Sequence, residues 1–142
     1  MASLDTVISN IKKEGFRLTR ARKAIINIFY SSNIPQTAEE INVFLKRKGI
    51  MVDKVTIYRE LDFLKDRKII REVNFREGAK RFEILPKQHH HHLVCLNCNR
   101  IEEFEMKNDL SQTEKRIAAT KNFKVADHML EFFGYCAKCQ SA

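Results

Sequence analysis

The sequence predicts an α+β fold in two parts: a winged helix-turn-helix domain over residues 1–85, a linker at 86–89, and a smaller, metal-binding α/β domain over 90–142. Three observations carry this. Hydrophobic residues recur at helical spacing as far as Lys68 and alternate with period two beyond it. The net charge of +8 is confined to the first part: residues 1–87 hold 19 Lys+Arg against 11 Asp+Glu, whereas 88–142 hold 7 of each. All four cysteines fall into two Cys-x-x-Cys pairs, and both pairs lie in the second part.

Residues 4–14 are weakly amphipathic, and Gly15 ends that segment. Thr19 is an N-cap for a helix in which Ala21, Ala24, Ile25, Ile28 and Phe29 share a face. Ser31-Ser32-Asn33 with Pro35 makes a loop. Thr37-x-x-Glu40 is a capping box opening a helix that buries Ile41, Phe44 and Leu45, and Gly49 stops it. Asp53 caps the next helix, with Ile57, Leu61 and Leu64 as its apolar stripe and Tyr58, Arg59 and Asp62 facing outward. Ile69–Phe75 and Lys80–Leu85 then read as strands joined by a turn at Glu77-Gly78. Three helices and a β-hairpin in this order make a winged helix, with the helix from Asp53 to about Asp66 as its recognition helix. The basic excess in the same residues points to a polyanion such as DNA.

After Pro86-Lys87-Gln88 the second part reads as a strand at about 91–95, a cysteine turn, a strand at about 100–105, a helix at about 109–121, and a strand at about 124–134 leading into the second cysteine turn. Its expected core is Leu93, Val94, Ile101, Phe104, Leu130, Phe132 and Phe133. So small a unit buries little surface, so a metal staple and a partner subunit are expected to stabilise it.

Hydrophobic content of 44% and charged content of 31% are those of an ordinary globular protein. No apolar run approaches the roughly 18 residues that span a bilayer, and the first 20 residues lack a signal-peptide core. The expected location is the cytoplasm, with no membrane partner. In that reducing compartment Cys-x-x-Cys pairs are metal ligands rather than disulfides.

Cys95, Cys98, Cys136 and Cys139 complete a tetrahedral S4 set, the donor set of a structural Zn2+. Directly upstream, His89 to His92 are four of the chain's five histidines. On an extended strand His90 and His92 share one face while His89 and His91 share the other, so one strand serves two sites. Glu83, Glu102, Glu103, Glu105 and His128 are the candidates for the remaining ligands. Imidazole with carboxylate suits Fe2+, Mn2+, Ni2+ or Zn2+ without choosing among them.

GFRLTRAR (15–22), TAEEI (37–41), VTIYRELDFL (55–64), RFEI (81–84), HHHHLVCLNC (89–98), IEEF (101–104) and DHMLEFFGYCAKC (127–139) occur in one order and spacing. In these stretches, which span nearly the whole chain, the sequence resembles the ferric uptake regulator family of bacterial metal-dependent repressors. The resemblance implies that the C-terminal α/β domain, 90–142, is a dimerisation domain, and that the protein is a homodimeric repressor that is not an enzyme and binds a double-stranded, pseudo-palindromic DNA operator. It implies a structural zinc on Cys95, Cys98, Cys136 and Cys139. It places a regulatory divalent metal, most simply Fe2+ with Zn2+ or Mn2+ as alternatives, on Glu83, His90, His92 and Glu103. A further site would take His89, His91 and His128. Tyr58 and Arg59 are the implied recognition-helix contacts, and Arg17 the implied minor-groove contact.

Two departures from the family pattern stand out. Many relatives carry a histidine ligand just before the TAEEI-type motif, where this chain has Ile34, Pro35 and Gln36; the regulatory site is then left with four ligands. The acidic ligand of the further site aligns near Ser111, with Asp109 and Glu114 as possible substitutes. The peroxide-sensing branch uses aspartates where this chain has Glu83 and Glu103. The zinc-uptake branch places a cysteine near the end of the wing, and every cysteine here is already committed. An iron-responsive repressor is therefore the favoured expectation, with peroxide-, zinc- and manganese-responsive members as alternatives. From other classes, a zinc-dependent enzyme lacks its H-E-x-x-H or H-x-E…P-C-x-x-C motif. A DNA-binding protein whose metals are all structural would bind its operator without added metal.

Overall fold

A computed structural model describes residues 3–76, 78–85, 90–106 and 110–140. The chain divides into two compact units, Met1–Gln88 and His89–Ala142. The residues read as a linker, 86–89, lie outside the described ones, as does Glu77 of the hairpin turn.

In the first unit α1 (Leu4–Lys13) is capped by Ser3 and buries Val7 and Ile11. Gly15 follows at φ +84, a left-handed conformation that a Cβ would strain. Thr19 caps α2 (Arg20–Ser31), which buries Ala24, Ile25, Ile26, Ile28 and Phe29. A two-residue strand β1 (Gln36–Thr37) leads into α3 (Ala38–Arg47) through the expected capping box of Thr37 and Glu40. Asp53 caps α4 (Lys54–Asp66), whose buried stripe is Ile57, Leu61 and Leu64. These helices and the hairpin β2 (Ile70–Asn74) and β3 (Lys80–Ile84) close one core, in which Ile25, Ile26, Ile41, Leu45, Leu61 and Leu64 are fully buried. Each such side chain contributes about 1.5–3 kcal/mol.

Two details differ from the sequence reading. Phe44 lies at the edge of the buried stripe of α3, 39% exposed, with the Lys48 ammonium 5.2 Å from its ring. The stripe itself runs through Ala38, Ile41 and Leu45. The hairpin is also a three-stranded sheet of order β1-β3-β2, with Gln36 opposite Phe82 and Thr37 opposite Arg81. Two residues are too few to show an alternating pattern, so β1 is invisible to periodicity. Arg81 secures that edge by donating from Nη1 to the Pro35 carbonyl (2.9 Å) and to Glu40 Oε1 (3.2 Å).

The second unit is a sheet of order β5-β4-β6, with β4 (His91–Cys95) central, β5 (Ile101–Phe104) antiparallel to it and β6 (Glu131–Gly134) parallel. The parallel pair needs a long crossover, and α5 (Ser111–Lys121) supplies it, ending at Asn122 in the left-handed conformation. β6 is shorter than the expected 124–134, because its pairing runs only from His92 opposite Glu131 to Cys95 opposite Gly134. The expected core is mostly not buried within this unit. Val94 and Ile101 are buried, Leu93, Leu130 and Phe133 half-buried, and Phe104 and Phe132 exposed. α5 buries none of its residues. Burial is concentrated on the central strand β4, on both of its faces, while β5 and β6 carry mostly exposed or half-buried side chains.

Candidate metal centres and nucleic-acid surface

Both Cys-x-x-Cys pairs sit at turns just beyond strand ends. Cys95 closes β4, and Asn99 takes φ +61 so that its N–H reaches back to the Cys95 carbonyl at 2.9 Å. Past β6, the Cys139 N–H donates to the Cys136 carbonyl, also at 2.9 Å. Parallel pairing of β4 with β6 lays one turn beside the other. The four sulfurs consequently lie within 4.8 Å of one another, and Cys98 Sγ is 3.8 Å from Cys136 Sγ. A tetrahedron with Zn–S near 2.3 Å has an S···S edge of about 3.8 Å, so this donor set fits zinc. None of the four forms a disulfide. N–H groups of Cys98 and Cys136 directed at Cys95 Sγ lower its thiol pKa from 9.0 to about 6, and the Cys139 N–H lowers that of Cys136. At Cys95 and Cys136 the scaffold therefore favours the thiolate form that a metal needs, whereas at Cys139, despite a hydrogen bond with Asn97, the Cys136 thiol and burial push the thiol up to about 11.

The histidine run behaves as an extended strand should. His90 and His92 lie together, rings 4.8 Å apart at 86°, both buried. Glu103, from β5, brings Oε1 to 3.8 Å from His90 Nε2. His91 points the other way, its ring 6.2 Å from that of His128 and inclined to it by 29°. Glu114 of α5 meets His128 Nδ1 at 2.5 Å. Of the two possible acidic substitutes, Glu114 is thus the one found beside His128; Asp109 lies outside the described residues, as does His89. Glu83 belongs to the first unit. It is a buried residue of β3 whose Oε1 accepts from Arg71 Nε (2.8 Å), its cross-strand neighbour on β2. The Gln36 amide donates to Ser32 Oγ (2.9 Å) and to the Ile34 carbonyl (3.0 Å), closing its own loop.

Sequence reading missed the carboxylate of Glu131. Its Oε2 accepts both the backbone N–H of His92 and the His92 ring, each at 3.0 Å. The parallel register that opposes these residues is a tertiary feature, and no spacing in the sequence signals it.

On the first unit, Tyr58 and Arg59 stand exposed on α4, and Arg17 is exposed in the loop before α2. That loop is tied to α4. Arg22 donates from Nε to Glu60 Oε2 (2.7 Å), from Nη2 to Glu60 Oε1 (3.1 Å), and from Nη1 to the Arg17 carbonyl (2.8 Å). The Arg22 guanidinium lies 3.8 Å from the centre of the Phe63 ring, and Phe63 meets Phe16 edge-on at 5.2 Å. The residue before Arg17 is thereby packed on the same helix that carries Tyr58 and Arg59.

A winged helix followed by a unit in which four thiols converge defines a metal-binding regulator of transcription. The chain belongs to the ferric uptake regulator family, whose profile matches residues 13–133. It is 34% identical over 131 residues to the ferric uptake regulation protein of Legionella pneumophila, covering 92% of this chain and 96% of that one. It is 31% identical over 137 residues to the peroxide-responsive repressor PerR of Staphylococcus epidermidis, covering 96% and 90%. The structure of the Helicobacter pylori ferric uptake regulator, described as having three functional metal binding sites, superposes with a TM-score of 0.83 at 26% identity, covering 99% of this chain and 96% of that one. The protein is a metal-responsive transcriptional repressor. Among the described residues, no helix is long and apolar enough to cross a membrane.

Proposed function

We propose that this repressor is an iron-responsive homodimer that acts without enzymatic activity. In this reading one zinc on Cys95, Cys98, Cys136 and Cys139 holds the second unit together. A divalent metal, Fe2+ foremost, binds Glu83, His90, His92 and Glu103 and sets competence for DNA. The observation that carries it is the buried His90–His92 pair with the Glu103 carboxylate beside it, separate from the sulfur cluster. One cluster is closed and all-sulfur, suited to structure. The other mixes imidazole with carboxylate, suited to a metal that exchanges.

Metal binding to a ligand set drawn from both units favours the arrangement in which those ligands meet, by no more than its differential affinity. Glu83 is the one member from the DNA-binding unit, so it carries the coupling. A further site draws on His89, His91 and His128, with Glu114 as its acidic member. Exposed Phe104, Phe132 and Tyr135 on the second unit support a second copy as the partner. Tyr58, Arg59 and Arg17 are the proposed contacts to a pseudo-palindromic DNA operator.

The test is operator binding by protein stripped of all but its tetrathiolate zinc, titrated separately with Fe2+, Mn2+ and Zn2+. Fe2+ should restore binding at the free concentrations that cells hold, even though such a site binds Zn2+ more tightly, and Glu83→Gln should abolish the response while leaving fold and zinc intact. Metal-independent binding would overturn the sensing role. A normal response in Glu83→Gln, lost instead in His128→Ala, would move sensing to the other site. Inactivation by peroxide in the iron form would identify a peroxide sensor.

A further inference from the structure

We propose that Glu131 is a positioning residue for the regulatory metal: it fixes His92 in the tautomer that presents Nε2 to the metal and places a negative charge behind the ring. This rests on the reading of His92 as a ligand. A carboxylate can only accept, so the hydrogen between His92 Nδ1 and Glu131 Oε2, 3.0 Å apart, belongs to the imidazole. The neutral ring then has its lone pair on Nε2. Free imidazole side chains in water prefer the opposite tautomer, so the protein must impose this one.

The imposition is firm for two reasons. Oε2 is itself held, since it also accepts the His92 backbone N–H at 3.0 Å. The His92 side chain is 1% exposed and that of Glu131 12%, so neither turns without unpacking its neighbours. Direct opposition of His92 and Glu131 in the parallel pairing of β4 with β6 sets the reach. The residue before each repeats the device for the other face: His91 Nδ1 lies 2.9 Å from the carbonyl of Leu130, just ahead of β6, and a carbonyl likewise can only accept. The segment Leu130–Glu131 therefore orients both His91 and His92, and through Glu131 it adds charge to the His92 site alone. Hydrogen bonding from a ligand imidazole to a carboxylate raises its basicity, and losing such a partner typically weakens metal binding about 10- to 100-fold.

The test uses full-length protein with its tetrathiolate zinc retained and the other metal removed. Imidazole 15N spectra at pH 8 should show His92 protonated on Nδ1 in the unaltered chain and in Glu131→Gln, whose amide oxygen can still accept. Glu131→Leu should lose that tautomer. Affinity for Mn2+, measured by competition with a chelator, should fall about 10-fold in Glu131→Gln and about 100-fold in Glu131→Leu. Unchanged circular dichroism and zinc content would show that neither loss is unfolding. Finding His92 protonated on Nε2 in the unaltered chain, or full Mn2+ affinity in both variants, would overturn the proposal. His92→Ala separates the two readings: if it binds Mn2+ normally, the ligand assignment itself fails. If it loses Mn2+ while both Glu131 variants keep it, only the positioning role fails.

Discussion

Cys95→Ser tests how much of the second unit is held by metal. Cys95 is 3% exposed at the end of β4, opposite Gly134 of β6, and its sulfur accepts the Cys136 N–H at 3.4 Å. Among the described residues of this unit, the buried apolar side chains are Val94, Ile101 and Cys95 itself. At about 1.5–3 kcal/mol each, they contribute roughly 5–9 kcal/mol in total. A structural zinc supplies about 10–16 kcal/mol of apparent free energy, larger than the apolar contribution. Serine cannot replace the thiolate, so the expected result is loss of zinc and unfolding of residues 89–142 with the first unit intact. Zinc content by mass spectrometry and hydrogen exchange resolved along the chain read the two halves separately. A strong chelator should reproduce the effect on the unaltered protein. A zinc-free Cys95→Ser variant whose β4 and β6 amides stay fully protected would refute the reasoning.

Glu60→Ala should lower first-unit stability by about 1.5–3 kcal/mol, because it strands a guanidinium that is largely buried. It should also weaken DNA binding through the Arg17 loop; a double-mutant cycle with Arg22→Ala that shows no coupling would rule this out. Arg59→Ala should cost about 1–3 kcal/mol on the operator and less on random DNA, and equal losses by fluorescence anisotropy would reduce Arg59 to a phosphate contact. The side chain of Asp53 accepts the Thr56 N–H at 2.8 Å, and bonding with Thr56 lowers its pKa below 3.8. A lowered carboxyl stabilises the fold above its unfolded pKa and loses that contribution as pH falls through the folded one. Thermal melts should therefore show α4 weakening below about pH 4, an effect that Asp53→Asn should reduce, since Asn caps without titrating.

Local signals in the chain settle a great deal. Ser/Thr/Asp caps, the Thr37–Glu40 box, and glycines at positive φ bound the first four helices, because capping involves groups three residues apart. The outward Tyr58 and Arg59 follow from helical period alone, and the opposite aim of His91 and His92 from strand period alone. Spacing likewise brings each cysteine into a pair. What needs the folded chain is everything set by pairing between distant strands. Convergence of the two cysteine turns, the return of Gln36–Thr37 to β3, and the opposition of His92 to Glu131 depend on registers that close over dozens of residues. Loop closure of that length is decided by the free energy of the whole sheet and leaves no mark on neighbouring residues. The second unit's apolar strands illustrate the same limit. Alternation indicates which side chains share a face, but whether that face is covered depends on what packs over it, as exposed Phe104 and Phe132 make plain.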